Sequence, residues 1–502
     1  MIGEKAMADK PCKAYFKFSY GGGLSPFFVM LSDLDRLEAA QGAISTGALG
    51  LSGEVVARQA NYNPDWKFHL KPETISFSAT PGRAKLDKIN ANPTSFSGQK
   101  VNLAFAEAIA DVSLLTNDAL PFSQSPPRSS YWNLRLIDAQ KALGKLPKKD
   151  GKTDWGNIKV GHVDTGYVAH SVFGQWESTP AADGGNTRTN KTIRWQVGKD
   201  FMDGDSNPED PLTYVPMRLP PDVPGHGLRT GSVLAGGKIG VAPGLPVVPC
   251  RAVRSVVLMT DAARGRVAGS IDHLVAAGCQ VISISLGWMS GGEEMGQALD
   301  RAYMAGVIVC AGGGQYTDTV TYPGRYFRTI GVGGVQPKDR KIPAAHAAAE
   351  NFKLEIYNEY VRGGTRHIAG DDQFIDIWAP SACIDRAVAE ADSARNLSST
   401  DGGGDGTSYG TVHVAAAAAM WLRLKAANIG AKYGAGNWRR VEAFRRLLHS
   451  TETRKLDVPT APNQPIYAYK HPWILYVPAI LEADLPAIAD DDIQPRAEGQ
   501  IF

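Results

Sequence analysis

Between Ile158 and Ala311 the chain repeats one pattern, and that repetition constrains its fold more than anything else in the sequence. Ile158 to Val163 is a short apolar run that stops at Asp164 and Gly166. Pro246 to Val253 is a second such run. Ser270 to Ala277 reads as a helix leading through Gly278 into a strand over Val281 to Ser285. Met295 to Met304 repeats this through Gly306 into Val307 to Ala311. Strands apolar on both faces and alternating with helices predict a parallel sheet covered on each side, because such strands have no face to give to water. In sheets of this kind functional groups collect at the carboxyl ends of the strands. Asp164, Gly287 and Gly312 fall there.

The remaining organisation is read from punctuation. Leu120 to Ser130 (LPFSQSPPRSS) holds three prolines and four serines between periodic segments and marks a linker. Residues 1–119 are expected to form a smaller α+β domain, with a helix over Asn102 to Leu115. Residues 131–452 form the main domain, with an insertion at about 338–373 that lacks clean periodicity. Residues 453–502 form a C-terminal extension. Its end, Ala483 to Phe502, is acidic, carries prolines and is expected to be a mobile tail.

Composition sets limits on partners and place. The chain is 43% hydrophobic and 21% charged with a net charge of +2, which suits a globular protein with a sizeable core. So small a charge, with no basic tail, gives no general attraction to nucleic acid or an anionic membrane. The N-terminus has no apolar run of signal-peptide length, and no 18-residue apolar stretch follows. The five cysteines (Cys12, Cys250, Cys279, Cys310, Cys383) are odd in number, widely spaced and mostly set in apolar sequence. They read as reduced core residues, and the expected location is cytoplasmic.

Three segments put a reactive side chain beside glycine: Val163-Asp164-Thr165-Gly166, Gly225-His226-Gly227, and Gly406-Thr407-Ser408-Tyr409-Gly410 before the apolar helix at Val412. A serine hydroxyl becomes nucleophilic when an imidazole takes its proton, and the imidazole needs a carboxylate to fix its tautomer. Glycine lets backbone approach substrate, and a serine at a helix N-terminus sits among amides that face developing negative charge. Singly these motifs are weak; a lone Asp-Thr-Gly is most often a turn. Their joint occurrence in this order carries the weight.

In these segments the chain resembles the subtilase family of serine peptidases. IKVGHVDTGYVAHSVF resembles the family's aspartate motif, GHGLRTGSVLAGGKIGVAPG its histidine motif, and GTSYGTVHVAAAAAMWL its serine motif. ISISLGW resembles the substrate-binding strand, TVTYPGRYFRTIGVGGV the stretch after the oxyanion loop, and WNLRLIDAQKAL the start of the catalytic domain. The resemblance, over Tyr131 to Leu448, implies a three-layer αβα fold and hydrolysis of protein or peptide substrates through an acyl-enzyme, with no metal or other cofactor. It implies Ser408 as nucleophile, His226 as general acid–base and Asp164 as orienting carboxylate. Ser285, Leu286 and Gly287 would pair with extended substrate backbone. Cys310, Ala311 and Gly312 would wall the pocket for the residue before the scissile bond, and Thr321 would make its floor shallower. His413 belongs to the serine motif as a packed helix residue.

The resemblance departs at the oxyanion loop. The family pairs the serine N–H with an asparagine side chain in Ala-Gly-Asn, whereas this chain has Cys310-Ala311-Gly312-Gly313-Gly314-Gln315. Gly313 takes the asparagine position, so either Gln315 or a backbone N–H supplies the donor, or the site is slow. The acidic run Asp203 to Asp210 lacks the glycine and terminal glutamate of a calcium loop and reads as a solvated turn. Two rivals stand beside the peptidase. An α/β-hydrolase esterase would order its triad Ser, acid, His, against the order found. A non-catalytic subtilase-like protein would bind peptides or a partner through the same groove. The N-terminal domain is expected to contact the catalytic domain or a partner protein, as a prodomain or a regulatory unit.

Overall fold

The computed structural model describes residues 10–11, 14–18, 27–31, 50–60, 66–78, 82, 85–104, 131–180, 186–215, 218–315, 319–343, 349, 352–357, 374–389, 400–434, 436–449, 454–455 and 473–499. The repeated pattern becomes β1 (Val160–Asp164), β2 (Lys199–Asp200), β3 (Val247–Arg251), β4 (Val281–Ile284), β5 (Ile308–Gly312), β6 (Ile330–Pro337) and β7 (Ile377–Pro380). These lie in one sheet in the order β2-β3-β1-β4-β5-β6-β7, continued by Trp473–Ile474 and Arg454–Lys455, with Leu354–Ile356 paired to β6. The seven labelled strands are parallel to their neighbours.

Five helices position the site and cover the sheet: α1 (His226–Ala235), α2 (Asp261–Ala276), α3 (Glu293–Met304), α4 (Thr407–Tyr433) and α5 (Arg439–Leu448). Strand side chains alternate between two cores. Val160, Val281 and Ile308 pack with Leu228 of α1 and Val412 of α4 on one face. Val163, Ile282, Ile284 and Val309 pack with Ile271 of α2 and Leu299 of α3 on the other. This is the expected three-layer αβα arrangement. α4 is the apolar helix anticipated from Val412, and residues 415–420 are fully buried in its middle.

The N-terminal residues form a separate core around Phe27, Leu51, Trp66, Phe68 and Leu103. Gly50–Val56 pairs antiparallel with His69–Leu70, Ser76–Ser78 and Lys100–Ala104, and Leu86–Ala91 is a short helix. The expected helix from Asn102 begins instead inside the strand Lys100–Ala104. Val101 and Leu103 are buried while Lys100 and Asn102 are exposed, which is a period of two. The rest of that helix and the linker lie outside the described residues.

Two further expectations are corrected. The C-terminal stretch is strapped to α3 and α5 as far as residue 499: the Ala497 N–H donates to Asp300 Oδ1 at 2.8 Å, and the Gln494 N–H to the Tyr303 hydroxyl at 3.1 Å. Its acidic run reads as solvated until its partners are known; Asp490 pairs with Arg439 and Asp492 with Arg446. Cys250, Cys279 and Cys310 are free and buried as expected, but Cys383 is disulfide-bonded. An odd cysteine count with wide spacing does not reveal a pair closed by tertiary contact.

Candidate active site

Asp164 ends β1, His226 opens α1 and Ser408 is the second residue of α4, so three elements separate in sequence deliver them to one edge of the sheet. His226 Nδ1–H donates to Asp164 Oδ1 at 2.7 Å, and His226 Nε2 lies 3.1 Å from Ser408 Oγ. Asp164 is fully buried and also accepts the Thr165 N–H on Oδ1 at 2.7 Å. Burial pushes its carboxyl upward, but the facing His226 outweighs that and the net shift is down, towards the ionised form. Nucleophile, base and orienting acid therefore stand in one hydrogen-bonded line.

Glycines make this line possible. A Cβ at Gly227 would stand 2.2 Å from Gly166 O and 3.2 Å from Asp164 Cβ, and one at Gly231 2.1 Å from the Tyr167 hydroxyl. α1 thus lies directly on the aspartate loop. Gly406, before the serine helix, has φ +140°, which L side chains rarely adopt.

Asp210 locks the aspartate and histidine segments together. Its Oδ2 accepts the Thr165 hydroxyl and the Gly225 N–H, each at 2.7 Å, and Thr165 Oγ1 accepts the Gly227 N–H at 3.1 Å. Sequence reasoning left Asp210 in a solvated turn. Asp203 and Asp205 are exposed there, but Asp210 is buried and its carboxyl is pushed up by that burial. Among the described residues no group of acidic, histidine or cysteine side chains is arranged to hold a metal.

Around the oxyanion loop, the Gly313 N–H donates to Val332 O at 2.8 Å, so that amide is committed to the sheet. Gln315 instead reaches the serine: its Oε1 accepts the Thr407 N–H at 3.0 Å. The Ser408 N–H lies at the second position of α4, where helix geometry offers no partner four residues back.

The expected substrate residues divide. Ser285 touches the nucleophile residue twice, donating from Oγ to Ser408 O at 3.1 Å and accepting the Ser408 hydroxyl on its own carbonyl at 3.4 Å. Leu286 is buried among the α2 and α3 side chains. Gly287 donates to Val256 O at 2.9 Å and accepts the Leu258 N–H at 3.0 Å, so both its backbone groups are engaged within the chain. Thr321 is wedged where a Cβ on Gly287 would meet its Oγ1 at 2.4 Å and one on Gly314 would meet it at 2.7 Å. Ala311 and Gly312 end β5, and Gly312 faces Thr407 and Thr411 of α4. Cys310 is fully buried within the α1/α4 core, and burial pushes its thiol up, so it stays protonated. His413 is buried too, lowered to about 4 by burial, and bonded to Tyr409 O and Asn133 Nδ2.

No helix among the described residues is long and apolar enough to cross a membrane. A second family model, describing a distinct N-terminal domain, matches residues 12–84. Subtilisin E of Bacillus subtilis (strain 168) is 26% identical over 298 residues, 56% of this chain and 68% of that protein. Thermitase of Thermoactinomyces vulgaris is 29% identical over 225 residues, 43% of this chain and 67% of its own length. A cold-adapted subtilisin-like serine proteinase of known structure is similar with a TM-score of 0.42 and 18% identity, over 69% of this chain and 97% of that one. The subtilase family model itself matches residues 156–464, more than half of the chain and all three glycine-flanked motifs, and the chain belongs to the subtilase family of serine peptidases.

Proposed function

We propose that this chain is a serine endopeptidase in which Ser408 is the nucleophile, His226 the general acid–base and Asp164 the orienting carboxylate. The observation that carries this reading is the continuous line from Asp164 Oδ1 through His226 to Ser408 Oγ, at 2.7 and 3.1 Å. Ser408 Oγ attacks the peptide carbonyl carbon while its proton passes to His226 Nε2. The resulting imidazolium is held by Asp164. The carbonyl oxygen gains negative charge and is met by the Ser408 N–H and the Gln315 side-chain amide. Collapse breaks the C–N bond, and the His226 proton leaves with the amine. Water then attacks the acyl-enzyme, giving its proton to His226, and the acid product departs as Ser408 recovers its hydrogen.

A fluorophosphonate probe tests this directly. Labelling of the wild-type protein, lost together with peptide cleavage in Ser408→Ala, supports the reading. A folded Ser408→Ala protein that still cleaves a peptide at the wild-type rate sinks it, and a wild-type protein that neither labels nor cleaves points to the peptide-binding alternative.

The N-terminal unit to residue 119, the linker at 120–130, the peptidase domain at 131–452 and the extension beyond it are our division of the chain. We read the first unit as regulatory or prodomain-like. The antiparallel pairing of Lys10–Pro11 with Lys341–Ile342 supports a unit that contacts the catalytic domain. The bonded Cys383 weighs against the reducing, cytoplasmic location expected from the cysteine pattern.

A further inference from the structure

Two residues before Asp164, on the same side of β1, lies a second histidine. His162 is fully buried, among neighbours such as Val160 and Val163 that are apolar. A polar ring in such a place costs free energy unless both nitrogens are engaged. Here they are. Nδ1 lies 2.6 Å from the Tyr167 hydroxyl, and Nε2 lies 3.3 Å from Thr230 Oγ1 and 3.4 Å from Asp164 Oδ2. Thr230 Oγ1 is itself 3.3 Å from that same Oδ2 and 2.9 Å from His226 O.

The tautomer follows from Tyr167. Its phenol is fully buried and pushed well up, by burial and then by the Asp164 charge, so it keeps its proton. Among the described residues its hydroxyl has one hydrogen-bond partner, His162 Nδ1. Tyr167 therefore donates, Nδ1 accepts, and the ring hydrogen sits on Nε2, facing Thr230 Oγ1 and the second oxygen of Asp164. The ring stays neutral, lowered to about 4 by burial, with Asp164 raising it and His226 lowering it further. The titratable groups facing it are Asp164 on its own strand, Tyr167 in the following loop and His226 from α1. At its register on the neighbouring strands stand the uncharged Pro249 and Ser283.

We propose that His162 is a positioning residue of the charge relay: fixed by Tyr167 with its hydrogen on Nε2, it holds Asp164 through Oδ2 and Thr230. The proposal rests on the triad reading above. One carboxylate then stands between two imidazoles, His226 on Oδ1 and His162 towards Oδ2. Because His162 is neutral, it aligns Asp164 without opposing the positive charge that forms on His226. Removing it leaves Oδ2 under-bonded, and the carboxylate then holds a proton on His226 more strongly.

The test compares His162→Leu, His162→Gln and Tyr167→Phe. In His162→Leu, kcat should fall about tenfold with KM little changed, and the acid limb of kcat/KM should move up by about one pH unit. His162→Gln returns a donor near Oδ2 and should recover most of the loss. Tyr167→Phe removes one oxygen and should give a smaller shift in the same direction, so it serves if His162→Leu does not fold. Nitrogen-15 NMR of the imidazoles at pH 7 reads the tautomer without turnover: His162 should be neutral with hydrogen on Nε2, and Tyr167→Phe should reduce that population. This separates failure of the inference from failure of the triad, which the Ser408→Ala and labelling results report. A folded His162→Leu with wild-type kcat and acid limb overturns the proposal. So does an imidazolium or an Nδ1–H tautomer at His162 in the wild type.

Discussion

Gln315 Oε1 accepts the Thr407 N–H at 3.0 Å, which fixes a side chain from the oxyanion loop beside the first turn of the serine helix. The contact caps one of the amides that helix geometry leaves without a partner, and it turns the Nε2 end of Gln315 into the donor the loop can present. Gly313, at the position of the missing asparagine, has its own N–H committed to Val332 O. Gln315→Ala should therefore lower turnover by about 10²-fold or more with little change in KM, because an oxyanion donor acts mainly in the transition state. Gly313→Asn should not restore it. Steady-state kinetics on one peptide substrate decide this, and an unchanged kcat in Gln315→Ala would assign the hole to another group.

Acid should destabilise the fold through two neutral histidines. His162 and His413 are each lowered to about 4 by burial, whereas an unfolded histidine titrates near 6.5. Between those values the unfolded chain binds more protons, so the stabilisation is complete above about 6.5 and is lost as pH falls towards about 4. Tm should drop steadily from pH 7.5 to 4.5. His413→Gln should lower Tm at neutral pH but flatten that slope. A slope that is the same in His413→Gln and in the wild type would remove His413 from the account.

Much of this was legible in the sequence. Apolar strands returning through Gly278 and Gly306 carried the parallel sheet, and the glycine-flanked Asp164, His226 and Ser408 marked its catalytic edge. What stayed hidden depends on which side chains meet. Asp210 sits in an acidic run, and only its burial against Thr165 and Gly225 distinguishes it from exposed Asp203 and Asp205. His162 could have been found, since a strand period of two puts it on the side of Asp164. The strand Lys100–Ala104 was missed because its apolar residues, Val101 and Leu103, suit a helix start as well.

The pocket floor makes a prediction about size. Thr321 fills the space between Gly287 and Gly314, and its buried Oγ1 has no hydrogen-bond partner among the described residues. Thr321→Gly should open the floor without breaking a side-chain hydrogen bond. Its kcat/KM for Phe or Tyr before the scissile bond should rise about tenfold relative to medium apolar residues, within the range one or two methylene-sized changes produce. A peptide library whose preferences are the same in both proteins would show that Thr321 does not set this limit.

The last prediction concerns the strand that substrate is expected to join. Pairing an extended peptide at Gly287 requires its N–H and C=O, yet here the N–H donates to Val256 O and the C=O accepts the Leu258 N–H. Segment 256–258 thus holds the position of an added strand, and a long substrate must displace it, whereas a short ester that reaches only the nucleophile need not. Val257→Gly weakens that strand by roughly 0.5–1 kcal/mol, enough for a change of a few fold. It should raise kcat/KM for substrates with four residues before the scissile bond and leave a single-residue ester unchanged. Hydrogen exchange gives a second reading: the Leu258 amide should lose protection when an extended peptide aldehyde binds, while Gly287 exchanges its partner and stays protected. If Leu258 keeps its protection with the aldehyde bound, the segment does not move, and substrate must lie along another edge of the groove.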